Sequence, residues 1–211
     1  MARANTPKLE NLSNIIEYFY RLKELPRTGW KQKLDIEDAE SVASHTLLMI
    51  VLVFFFSEKY GYSYKKKIKL VEMTLIHDLA ESIIGDITPE TMNKNSKRKL
   101  ENEAFNTIIQ KINSKSLKNR YSELWHEYQS EKSFESKCIH LLDKLEMVLQ
   151  ANYYFVNRKA IRKDDVAPFF QAGLRYASKR SNSRLAKISN KNIQDTNELE
   201  DIKEILEYFS R

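Results

Sequence analysis

The sequence predicts an all-α protein, a compact helical bundle folded as a single domain, and three observations predict it. Gly and Pro number only four each in 211 residues, far below the roughly 7% and 5% of average chains, so few positions break a helix. Apolar residues recur at three- and four-residue spacing along most of the chain, as amphipathic helices require. Eleven Tyr and ten Phe provide bulk for a core rather than the composition of a disordered chain. The length suits one well-buried domain over 1–211, with its core at about 9–181 and a polar segment and helix at 182–211.

The elements follow in order. A first helix over 9–25 ends at Pro26, and an irregular segment begins at Arg27-Thr28-Gly29-Trp30. A second helix over 40–60 is apolar almost all round at its centre, which predicts a place deep in the core, and Gly61 ends it. A third runs over 64–81 with Ile68, Val71, Leu75 and Leu79 on its apolar side, before Gly85-Asp86 and Pro89. Later helices are expected at 96–112, 117–130, 134–158, 164–181 and 197–209, with a polar, mobile connection at 181–195.

Composition narrows the function classes. The single Cys138 excludes an internal disulfide and suits a reducing, cytoplasmic setting. The longest apolar run, 47–56, falls short of the roughly 18 residues of a bilayer span, so no membrane is expected. The net charge of +6 gathers in Lys65-Lys66-Lys67, in 158–163 and in 175–191. These clusters read as solvated helix faces with a mild attraction for phosphate-bearing ligands. No aromatics interleave with them as in a single-strand groove, which disfavours nucleic acid.

The chemistry concentrates in four residues. His77-Asp78 lies in Leu75-Ile76-His77-Asp78-Leu79-Ala80-Glu81, His45 upstream, and Asp143 downstream in Leu141-Leu142-Asp143-Lys144. Two imidazoles and two carboxylates in apolar helical sequence are costly to bury without a partner. One divalent ion satisfies all four, which predicts a metal-dependent phosphohydrolase. His126 and His140 lack that company and read as surface or interface residues.

The order His45, His77-Asp78, Asp143 resembles the H…HD…D signature of the HD-domain phosphohydrolases, and most closely their 5′-deoxynucleotidase branch, the YfbR-like and HD-domain-containing protein 2 group. Pro26-Arg27-Thr28-Gly29-Trp30, Glu40-Ser41-Val42-Ala43-Ser44-His45, Gly85-Asp86-Ile87, Trp125-His126-Glu127-Tyr128 and Leu142-Asp143-Lys144-Leu145-Glu146-Met147 carry the likeness over roughly the first three quarters of the chain. Ser44, Tyr153 and Phe155 depart from it, standing where relatives often carry acidic residues. The resemblance implies an HD-domain helical bundle, a homodimer, and removal of phosphate from deoxyribonucleoside 5′-monophosphates with one divalent transition metal per chain. It implies His45, His77, Asp78 and Asp143 as metal ligands, Glu81 as the catalytic acid-base, Asp86 near the sugar 3′-hydroxyl, and Arg27 and Trp30 on a substrate-side loop.

The residues add their own reasons. Nitrogen and oxygen ligands without thiolate suit Mn, Co, Fe, Ni or Zn, and four of them leave coordination open for water and phosphate. Glu81, four residues after His77, shares its side if the helix continues. Arg27 offers forked donors to phosphate. Trp30 offers a ring to a base or serves as a core lid, and Asp86 contacts sugar or its own turn. Cleavage of triphosphates, cyclic nucleotides or (p)ppGpp, or a non-catalytic metal-stabilised binding protein, are the alternative readings.

Overall fold

The computed structural model of the chain describes residues 7–181 and 193–210. Helices form throughout: α1 (Pro7–Glu24), α2 (Thr28–Leu34), α3 (Val42–Lys59), α4 (Tyr64–Ile76), α5 (Glu81–Ile84), α6 (Lys94–Gln110), α7 (Lys115–Ser130), α8 (Phe134–Asn157), α9 (Lys163–Ser181) and α10 (Ile193–Phe209). Among the described residues the only β contact is an isolated antiparallel bridge between Pro26 and Ser41. The all-α class read from the sequence stands. The expected connection at 181–195 lies mostly outside the described residues.

The chain divides into two compact units, one of residues 1–47 and 72–126 and one of 48–71 and 127–211. In the first unit the bridge is reinforced by two backbone bonds, Arg27 N–H to the Glu40 carbonyl at 2.8 Å and Val42 N–H to the Leu25 carbonyl at 2.9 Å. These bonds pin the segment after α1 against the start of α3. Helix α2 occupies the stretch expected to be irregular. Its Trp30 and Leu34, one turn apart, are buried, and that burial outweighs the absence of a capping side chain at Arg27. Further along this unit, Phe105 of α6 stacks on Trp125 of α7 at 4.2 Å, and the Trp125 indole N–H donates to Asn102 at 2.7 Å.

The expected helix 64–81 breaks. Helix α4 stops at Ile76, and the next bonds reach back three residues rather than four: Leu79 to Ile76, Glu81 to Asp78 and Ser82 to Leu79. A tightened turn of this kind re-aims successive side chains. Gly85 follows with φ +79, a conformation that favours glycine.

In the second unit, α8, capped by the Ser133 hydroxyl accepting from Ser136 N–H, packs with α9 and α10. Gly173 lets them approach, since a Cβ there would lie 2.7 Å from Val148 Cγ2 and 3.2 Å from Leu206 Cδ2. Gly61, at φ +62, closes α3 with a bond from Tyr62 N–H to the Ser57 carbonyl and one from its own N–H to Glu58, the Schellman pattern. Helix α3 itself corrects an expectation. Met49, Val53 and Phe56 are buried as anticipated, but Val51, Phe54 and Phe55 are 53%, 46% and 61% exposed. The helix is apolar all round yet only one face is covered.

Candidate active site

The first unit gathers most of the anticipated residues. His45, in the first turn of α3, is fully buried, and its Nε2 lies 3.3 Å from His77 Nε2. Asp78 Oδ2 is 3.2 Å from His77 Nε2 and 3.7 Å from His45 Nε2. The tightened turn after α4 makes this possible, because neighbouring side chains on a regular helix diverge by about 100°. His77 Nδ1 is 2.6 Å from the Thr74 carbonyl. An N–H at Nδ1 that donates there leaves Nε2 as a lone-pair donor, the second-sphere arrangement of metal-binding histidines.

These three atoms fit a metal ion. Donors held about 2.1 Å from a tetrahedral centre lie about 3.4 Å from one another, and the observed separations bracket that value at 3.2, 3.3 and 3.7 Å. Two nitrogens and one carboxylate oxygen form a borderline donor set that suits a transition ion.

Arg27 and Asp86 belong to the same unit. Arg27 Nη1 donates to Asp78 Oδ2 at 3.3 Å, both side chains 16% exposed. Burial alone raises the Asp78 carboxyl, but His77, Arg27 and His45 together hold it well below the ordinary carboxylate range. Asp86 Oδ2 accepts from the backbone N–H of Thr28 at 2.6 Å. It therefore caps α2 from 58 residues away and ties the Arg27 loop to the turn after α5. Replacing Asp86 with Ala should cost about 1 kcal/mol, or a melting temperature lower by about 2–4 °C. A thermal melt reads that loss, and a KM that also rises in the same variant would report a sugar contact in addition to the cap.

Trp30 is buried, 2% exposed, with its indole N–H donating to Glu40 Oε1 at 2.8 Å. Its ring is covered in this structure, as a core lid would be. Asp143 lies on α8, in the second unit, where its Oδ2 pairs with Lys144 Nζ at 2.9 Å. His126 is exposed, and His140 stacks on Tyr128 at 4.2 Å. Tyr153 is exposed at 57%.

Glu81, at the first position of α5, is 3% exposed. It was expected on one continuous helical side with His77, but the break at Ile76 places it through α5 instead. Burial, then the like charge of Asp78, pushes its carboxyl well above the ordinary carboxylate range, Asp86 adds to the push, and Lys97 and Arg27 oppose it. A carboxyl of raised proton affinity beside a metal-type donor set is suited to general acid-base work.

Three participants escaped the sequence reading. Thr74 contributes only its carbonyl, which any residue has. Glu40 lies in a quoted motif without an assigned role. Lys97, whose Nζ donates to Glu81 Oε1 at 3.1 Å, is hidden in the charged run Lys94-Asn95-Ser96-Lys97-Arg98-Lys99. A glutamate four residues on, Glu101, was the available hint, since such pairs share a helix face.

Comparisons with known proteins point to one family. A family model described as the HD domain matches residues 19–187. The 5′-deoxynucleotidase HDDC2 of Mus musculus is 35% identical over 155 residues, 73% of this chain and 75% of the relative. The 5′-deoxynucleotidase hdd1 of Schizosaccharomyces pombe is 34% identical over 173 residues, 80% of this chain and 84% of the relative. Among solved structures, a protein of Pyrococcus horikoshii superposes with a TM-score of 0.67 at 27% identity, covering 94% of this chain and 99% of its own. A conserved hypothetical protein of Pyrococcus furiosus gives 0.66 at 25%, covering 92% and 98%. With its histidine-aspartate cluster in the matched region, the chain belongs to the HD-domain family.

Proposed function

We propose that this chain is a metal-dependent phosphomonoesterase that hydrolyses deoxyribonucleoside 5′-monophosphates to deoxyribonucleosides and phosphate. The observation that carries it is the convergence of His45 Nε2, His77 Nε2 and Asp78 Oδ2 within 3.2–3.7 Å of one another, with Glu81 in the same unit. The 5′-deoxynucleotidase relatives support the substrate class.

His45, His77 and Asp78 would hold one divalent ion of the Mn, Co, Fe, Ni or Zn type, with Asp143 as a fourth ligand on the strength of the family signature. Bound there, the ion supplies a Lewis acid for phosphate oxygen and lowers the pKa of water from about 15.7. Arg27 offers its guanidinium to a phosphate oxygen while holding Asp78 ionised. Glu81 takes a proton from the attacking water as that oxygen bonds to phosphorus, the bond from phosphorus to the 5′ oxygen breaks, and the proton passes to the departing 5′ oxygen to make the hydroxyl. Asp86, at the turn after α5, stands as a sugar-side residue.

A homodimer is part of the same proposal, supported by Val51, Phe54 and Phe55 on the uncovered face of α3. The buried Cys138, which forms no disulfide, accords with a cytoplasmic setting. A substrate panel tests the reading. Phosphate release from dAMP, with little from its 3′-phosphate isomer, dATP or a cyclic nucleotide, is expected; preference for dATP or a cyclic nucleotide would assign another HD chemistry.

A further inference from the structure

The two carboxylate oxygens of Glu81 have different surroundings. Oε1 accepts from Lys97 Nζ at 3.1 Å, and Oε2 is buried with no hydrogen-bond partner. The terminal torsion of a glutamate is broad and nearly two-fold, so nothing internal to the side chain decides which oxygen faces a reacting water. An external anchor must decide it. Lys97 is that anchor, reaching Glu81 from the first turn of α6, which packs against α5.

The anchor is itself held. Lys97 Nζ lies 3.6 Å from Glu101 Oε1, one turn along α6, and its side chain is 25% exposed. Burial works against its charge, but Glu81, Asp78 and Glu101 outweigh that and keep the ammonium protonated. The carboxylate gains a charge-assisted bond where Asp78 would otherwise repel it.

We infer that Lys97 is a positioning residue for the hydrolysis: it pins Glu81 Oε1 and so assigns Oε2 as the oxygen that exchanges a proton with water. This inference rests on the phosphomonoesterase reading above. Lys97 does not touch the reacting atoms; it acts through Glu81. The rival role for such a lysine is a grip on the substrate phosphate, and the two roles separate kinetically.

The test uses the full chain loaded with metal, dAMP as substrate, and the variants K97M, K97R, E81Q and E81Q/K97M. Misplacing a reacting group can cost about 100-fold, so K97M should lower kcat by about 10- to 100-fold. Its KM should stay within about threefold of wild type and its metal affinity, read by calorimetry, should not change. K97R should recover most of the loss. In the E81Q background K97M should cost nothing more, because the side chain that Lys97 positions no longer exchanges a proton. Should K97M fail to fold by circular dichroism, K97Q takes its place, with an intermediate kcat and wild-type KM expected. A wild-type kcat in the neutral variant overturns the inference. So does a raised KM with kcat kept, or a further loss on top of E81Q. If wild-type protein releases no phosphate from dAMP, the functional reading falls first and this inference with it; release by wild type with K97M unaffected sinks the inference alone.

Discussion

Glu81→Gln should abolish nearly all turnover while the protein stays folded and keeps its metal. The substitution preserves shape and leaves an oxygen to accept from Lys97, so the contact at 3.1 Å persists. It removes the one feature that acid-base catalysis needs, a carboxyl able to gain and lose a proton, and such help is typically worth about 10² to 10⁴-fold. The wild-type side chain is poorly placed for stability, being 3% exposed with Oε2 buried and lacking a hydrogen-bond partner. A neutral amide there relieves the like-charge pressure from Asp78, so the melting temperature should hold or rise. Such a trade of stability for activity is common at working sites. Rate, metal content and melting curve together check this. A variant with near wild-type kcat would remove Glu81 from the chemistry.

Asp78→Asn should act on metal before it acts on rate. Asp78 supplies the anionic donor of the His45–His77–Asp78 group and also receives Arg27. Replacing it leaves two imidazoles and a guanidinium together without the carboxylate that offsets them. Loss of an outer-sphere partner alone commonly costs about 10- to 100-fold in metal affinity, and loss of a direct ligand should exceed about 100-fold. Asp143→Ala, at the proposed fourth ligand, is expected to show the same deficit, and wild-type affinity there would remove Asp143 from the ligand set. Calorimetric titration of metal-stripped protein reads both. Wild-type affinity in Asp78→Asn would reduce that residue to an ion-pair partner for Arg27.

How much of this was legible in the sequence depended on whether the determining contacts are local. Helices α6, α7 and α8 were readable because their caps and periodicity lie within the segment, as Asn93, Ser114 and Ser133 show by accepting from the N–H three residues on. Helix α2 was not readable, because Arg27 is no capping residue and the cap comes from Asp86, 58 residues away. The break at Ile76 was equally hidden. Leu75-Ile76-His77-Asp78-Leu79-Ala80-Glu81 contains no Gly or Pro, so periodicity carried a helix through the turn that brings His77 and Asp78 together.

The site shows the same division. Residue types that are expensive to bury announced themselves: His45, His77, Asp78 and, through its family setting, Glu81. Lys97 did not, since one lysine in a basic run looks like solvated surface until the fold places it 3.1 Å from a buried carboxylate. Trp30 was legible as a large apolar residue, but whether its ring faces a ligand or the core is set by tertiary burial, which takes in Trp30 and Leu34 together. The exposed side of α3 is hidden from the sequence for a related reason. Composition counts apolar residues around a helix, whereas burial depends on what lies opposite each face.

The central claim, a metal-dependent phosphatase built on His45, His77 and Asp78, is most directly tested by stripping the protein of metal and restoring ions one at a time. Mn, Co, Fe, Ni and Zn are added separately, and phosphate release from dAMP is followed. The account predicts silence in the stripped protein and recovery with at least one of these ions, a recovery that Asp78→Asn fails to show. Full activity without metal, or silence with every ion, would contradict it.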